Sequence, residues 1–179
     1  MKLVFILLGI GETIVSRCLM TSMDYYRLRF NNENVAFYTS LSMYTSTLLF
    51  GTLLLIFQHS LSLHLQLFSS LIGLITTYAF CPLVAFLLPT PLGLSIYYLL
   101  IFLNGGFKIM GYQSAIGYSQ LFIKDQFGVY FLTGTGISGV LAFLLRVIAL
   151  FTIYDLNYSL ILYFTFTLVL QILVYISIY

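Results

Sequence analysis

Four ionisable side chains, Glu12, Arg17, Lys108 and Arg146, interrupt stretches of sequence that are otherwise apolar. A charge held near the centre of a bilayer costs roughly 3 kcal/mol on insertion scales. Four such groups facing lipid alone would cost roughly 10 kcal/mol, comparable with the whole stability of a domain. Paired burial is therefore expected. Glu12 is the one acid of the four, which makes it the expected counter-ion for one of the three cations and leaves one or two cations for another task. A plainer reading is that some of these groups lie nearer the span ends and snorkel to the interface; Arg17, seven residues before the polar stretch that opens at Asp24, fits this best.

Gln113 is a neutral side chain in the same setting, rich in donors and acceptors. It stands five residues after Lys108, which on a regular helix turns the two about 140° apart, onto different faces. They form one site only if the helix is broken, and Gly105, Gly106 and Gly111 would allow such a break. An intramembrane glutamine otherwise serves to hold helices together. Twenty residues on, Thr133-Gly-Thr-Gly-Ile-Ser-Gly139 contains the letters of a dinucleotide-binding fingerprint. It lacks the preceding strand that such a fingerprint needs. Close helix packing through Thr135, Gly136 and Gly139 is the expected role, since small residues let a neighbouring backbone approach.

Signals for enzymatic chemistry are thin. His59 and His64 stand five apart with no Cys, Asp or Glu near them to complete a metal site, and no Ser/His/Asp set or paired carboxylates can be assembled. Both histidines read as interfacial, and no metal, cofactor or catalytic residue is expected. Cys18 and Cys81 lie in apolar runs and read as small buried hydrophobes.

The elements that must carry these residues are set by composition. Of the 179 residues 61% are hydrophobic and only 7% charged, far below the quarter that a water-facing surface requires. The chain is expected to be an integral, multi-pass membrane protein; no targeting signal in it specifies which membrane. A net charge of +2 without a Lys/Arg run excludes nucleic acid as a partner. Runs of about 20 apolar residues cross a bilayer as helix. Six can be placed, at about 3–23, 35–57, 65–88, 92–121, 129–153 and 156–179, with a polar connection over 24–33. Continuous apolar runs exclude a membrane barrel, whose strands alternate. The fold class expected is all-α, one transmembrane helical bundle. Lys2 before an apolar run imitates a secretory signal, but no small-residue cleavage site comes after it, so 1–23 is expected to be a retained helix. Pro82 falls inside the third span as a candidate kink, and Pro89 and Pro91 mark a short turn. Lys2 and Lys124 fall on one side of the membrane and Arg27 and Arg29 on the other, so loop charge does not orient the chain.

Taken together, these motifs resemble the equilibrative nucleoside transporter family. Thr133-Gly-Thr-Gly-Ile-Ser-Gly139 stands where that family has Ser-Gly-Gln-Gly-Leu-Ala-Gly in its fifth helix, and stepping back without a gap puts Gln113 on the glutamine of its fourth. Gly9-Ile10-Gly11 matches the family's Gly-Leu-Gly, and Met20-Thr-Ser-Met-Asp-Tyr-Tyr26 is similar to the family's residues after that motif. Arg146 sits where many relatives place an arginine. Val15-Ser16-Arg17 replaces the family's Pro-Trp-Asn, Thr135 the fifth-helix glutamine, and Ser114 the glycine after the fourth-helix glutamine. The resemblance spans nearly the whole chain but only the family's first six helices. The acid and arginine that hold ribose in the family lie beyond them.

The resemblance implies the N-terminal half of a major-facilitator-like transporter, lining one side of a midplane cavity for a nucleoside or nucleobase. It implies that Gln113 hydrogen-bonds the nucleobase, that Ile109 lines the pocket, and that Ser16 and Met20 of the first span and Met43 and Ser46 of the second face the ligand. A half bundle implies a second half, from self-association, a partner chain or further sequence; an end inside an apolar helix fits a longer parent. The alternative is a non-transporting remnant or an accessory subunit of a membrane complex.

Overall fold

The computed structural model describes residues 2–57, 62–121 and 127–178, all but a few of them helical. Seven helices succeed one another: α1 (Lys2–Thr21), α2 (Met23–Phe30), α3 (Val35–Phe57), α4 (Leu63–Leu87), α5 (Thr90–Gln120), α6 (Phe127–Thr152) and α7 (Leu156–Ile178). All except α2 are long and apolar enough to cross a membrane. The chain is thus an all-α, multi-pass bundle, and each expected span falls on one of these helices with its ends displaced by a few residues. His59, Lys124 and Asp125, and with them the reading of His59 as interfacial, lie outside the described residues.

The difference lies in α2, which occupies most of the expected polar connection. Its eight residues place Asp24 in the first turn and Arg27 and Arg29 in the last, each sign at the helix end whose dipole it complements. Asn31 ends it in the left-handed conformation (φ 47°), with its backbone N–H donating to the Leu28 carbonyl. Tyr25, Tyr26 and Phe30 are buried, so this amphipathic turn closes one end of the bundle instead of looping into solvent.

Two packing modes position everything else. α1 runs parallel to α6 and packs on it more extensively than any other pair does. The register is set by Gly9 against Gly134 and by the Thr13–Ser138 hydroxyl pair at 2.7 Å. A Cβ on Gly134 would run into the Ile6 carbonyl, and one on Gly9 into that of Phe131, so two backbones meet where neither helix has a side chain. Gly136 and Gly139, in contrast, meet nothing within 4 Å. The expected packing role of Thr135, Gly136 and Gly139 is therefore corrected by one helix face: Gly134 and Ser138 point to α1, while Gly136 is exposed and Thr135 and Gly139 only part-buried.

α5 is the second organiser, antiparallel to α4 and parallel to α3. It continues unbroken through its glycines, none of which has positive φ. Lys108 and Gln113 therefore keep their helical separation and do not share a face. α4 likewise runs through Pro82. Phe37, Phe80, Phe143 and Phe151 are exposed, an apolar perimeter suited to lipid.

Candidate functional site

Three places in the described spans gather the polar and charged side chains that bear on a site. The first is where α3 and α5 run side by side. Ser42 donates to the Tyr98 carbonyl at 3.0 Å, Ser46 to that of Phe102, and Thr47 to its own helix at Met43 (2.8 Å). Gly105 lets α5 approach the Met43 carbonyl closely. One and two turns further on, Gly51 of α3 faces Ile109 and Gln113: a Cβ there would lie 3.4 Å from Ile109 Cγ1 and 3.8 Å from Gln113 Nε2. A Cβ there would thus make ordinary van der Waals contact with both, so the glycine leaves about a methyl's worth of space beside them.

Gln113 stands where two grooves meet. One, of about 350 Å³, is bordered by Leu54, Leu63, Gln66, Gln113, Gly117 and Gln120; the other, of about 360 Å³, by Tyr44, Thr47, Gly51, Thr52 and Gln113. Gln113 is half-buried, and its amide makes no hydrogen bond to another described residue. The helix-gluing role open to an intramembrane glutamine is thus not the one it plays within this chain. Gln66 and Gln120, from α4 and α5, bring two more amides to the same groove. Sequence reasoning does not single them out, because each lies close to a span end where a glutamine is unremarkable.

The residues placed on the ligand by resemblance divide. Gln113 and Ile109 come together beside Gly51. Met43 and Ser46 are buried in the α3–α5 contact, and the Ser46 hydroxyl is taken up by the Phe102 carbonyl. Ser16 is buried, with its hydroxyl donating to Thr13 of its own helix at 2.9 Å. Met20 is part-buried, and its sulfur accepts a long contact from Ser40 at 4.0 Å. The structure thus joins α3 and α5 at one opening and spends the polar groups of Ser16 and Ser46 on packing.

The second place is the α2 end, where Arg146 finds its counter-ion. The guanidinium, 6% exposed, donates to Asp24 Oδ2 at 3.1 Å and lies 5.6 Å from the centre of the Tyr163 ring. Arg146 stands six residues before the end of α6, about 9 Å along the axis, so it sits toward the interface rather than at mid-membrane. Its partner is not the expected Glu12, because α2 folds back and delivers Asp24 from the segment read as a connection.

The third place is the α1–α4–α5 junction, where Glu12 is fully buried near the middle of α1. Ser70 donates to its Oε1 at 3.0 Å, while Oε2 has no hydrogen-bond partner among the described residues. Both Glu12 Oε2 and Ser70 Oγ press on Gly111, whose missing side chain makes the room. Seven residues away on both helices, Asn104 Nδ2 donates to Thr77 Oγ1 at 3.0 Å. The expected four-membered charge network therefore does not form. Arg146 pairs elsewhere, Arg17 is exposed, and half-buried Lys108 makes no ion pair with a described acid. Among the described residues no group of His, Cys, Asp and Glu could hold a metal ion.

Compared with known proteins, the chain matches no family model and no curated sequence.

Proposed function

We propose that the chain is a facilitative nucleoside or nucleobase transporter, or the N-terminal half of one, that works by alternating access. The observation that carries this reading is Gln113: its amide is uncommitted, Gly51 opens the space beside it, and it occupies the position that the resemblance gives to the nucleobase-binding glutamine. An amide offers a donor and an acceptor side by side, the pattern that a nucleobase edge complements. Grooves between helices, lined by apolar side chains with a few convergent amides, are how small polar solutes are held in helical carriers. Rocking of this bundle against a second one, whether another copy or a partner half, would expose the α3–α5 groove to each side in turn.

Uptake of labelled adenosine and uridine by vesicles containing the chain tests this. Saturable uptake by the wild type, lost in Gln113→Leu with membrane insertion intact, is the expected result. Equal uptake by both would refute the role of Gln113.

One observation favours a second reading. Ser16, Met43 and Ser46, which a carrier of this family would turn to the ligand, are packed away here. A remnant or accessory subunit would then co-purify with a larger membrane complex and show no saturable uptake.

A further inference from the structure

The bundle contains an acid that the proposed transport reaction does not use. Glu12 is 0% exposed, near the middle of a membrane-spanning helix, with one carboxyl oxygen bonded to Ser70 and the other without a hydrogen-bond partner among the described residues. Two properties of the surroundings narrow what this group can bind.

No described cation forms an ion pair with it. On its own helix Arg17 is exposed, five residues toward the α2 end. From α5, Lys108 lies one turn before the contact residue Gly111 and Tyr112 directly after it, and neither bonds to Glu12. α6 faces α1 here with Ser138, and its Arg146, two turns on, is held by Asp24. α4 presents Ser70, and its His64 stands near the helix start, six residues away. α7 presents Gln171 beside Gly11, and its Tyr175 lies one turn further on.

Nor do the described residues gather His, Cys, Asp and Glu into a metal-holding group here. A hard cation gathers six or more oxygens, and the oxygen shown within bonding distance of this carboxyl is that of Ser70, which also donates to Leu67 at 3.1 Å. The free Oε2 takes the place that a Gly111 Cβ would fill. A proton on Oε2 satisfies such an acid without any further ligand.

We propose that Glu12 is a proton-binding site, its Oε2 carrying the proton while α5 is packed on α1 at Gly111, and that release of this proton when α5 moves away couples transport to a proton gradient, which would make the carrier proposed above proton-coupled and not purely facilitative. The coupling rests on the transport reading; the proton itself does not. Intramembrane acids without a counter-ion serve as proton relays in pumps and transporters for this physical reason: the neutral acid is tolerated in a low-dielectric interior and the anion only where water enters. Gly111 is the sensitive point, because a separation of α1 from α5 there exposes Oε2 first. α5 also carries Gln113, two residues on, so a substrate that draws Gln113 acts on the helix that seals the acid.

Two measurements test the two parts. Infrared spectra of the wild type in lipid vesicles at neutral pH should contain the C=O stretch of a protonated carboxylic acid that is missing in Glu12→Gln and shifted in Ser70→Ala, which removes the hydrogen bond to Oε1. A difference spectrum showing instead a carboxylate at Glu12 would overturn the assignment. In vesicles with an imposed pH gradient, acid outside, initial uridine uptake by the wild type should rise several-fold and fall back with a protonophore, whereas Glu12→Gln should take up uridine at one rate with or without the gradient. Uptake by the wild type that ignores the gradient, or gradient-driven uptake by Glu12→Gln, would overturn the coupling. No uptake by the wild type under any gradient would defeat the transport reading and its coupling together, while the infrared result would still decide whether Glu12 holds a proton.

Discussion

Gly111 and Gln113 stand two residues apart on α5, yet the polar groups beside them are treated in opposite ways. At Gly111 the helix is pressed against α1 and α4, and the Glu12 carboxyl is sealed from every side. At Gln113 the helix turns toward α3, where Gly51 withholds a side chain and the amide faces open grooves. The same device, a missing Cβ, closes one region and opens the other. What decides is whether a neighbouring side chain fills the space: Glu12 and Ser70 occupy it at Gly111, whereas at Gly51 Ile109 and Gln113 only border it at contact distance. Placement relative to the neighbours, more than polarity, separates a candidate binding group from a buried one.

That contrast can be broken most severely at the α1–α6 contact on which the closed region depends. Gly134→Leu should prevent native packing, since even a Cβ meets the Ile6 carbonyl; overpacking of this kind costs about 1–3 kcal/mol or more, and here backbone must move. The matched control, Gly136→Ala, meets nothing and should be neutral or stabilising by up to about 1 kcal/mol through helix propensity. Thermal unfolding in detergent reads both, and equal behaviour of the two variants would contradict the packing described.

A smaller effect is expected at the junction itself. Gly111→Ala forces a methyl against Glu12 Oε2 and Ser70 Oγ and should destabilise by about 1–3 kcal/mol. Adding Glu12→Ala should restore part of the loss, because one of the two colliding groups is then gone. A double-mutant cycle with no coupling would show that the two residues do not touch.

Smallest is the loss expected at the α2 end. Asp24→Asn removes the charge opposite buried Arg146, but Asp24 is 56% exposed, so screening should hold the loss to about 1 kcal/mol. High salt should reduce the difference between wild type and variant.

Much of this architecture is legible in the sequence, because span length and continuous apolarity are set by the bilayer and need no tertiary information. All six expected spans coincide with helices. α2 stays hidden because eight residues with three charges and two tyrosines look like a loop until Tyr25 and Tyr26 have somewhere to be buried. The partners of the charges are not legible. Glu12 is the natural counter-ion on count alone, whereas the pairing that forms depends on α2 folding back to bring Asp24 within 3.1 Å of Arg146. The packing glycine escapes notice for a similar reason: Gly134, Gly136 and Gly139 are alike in sequence, and only the register against Gly9 selects among them. At the site, the uncommitted state of Gln113 is not legible, because by type and position an intramembrane glutamine reads as a group that holds helices together. The opening beside it depends on Gly51 of a different helix, and the amides of Gln66 and Gln120 join it only through the fold.

The most direct test of the central claim, that the α3–α5 opening at Gln113 holds a nucleoside or nucleobase, is ligand-dependent thermal stability of the purified chain. Adenosine or uridine at about 100 times its Kd should stabilise the wild type by about 2.7 kcal/mol and raise its unfolding temperature, while Gln113→Leu, equally folded without ligand, should show no rise. An unfolding temperature that neither nucleoside raises in the wild type, or that rises equally in Gln113→Leu, would contradict the claim.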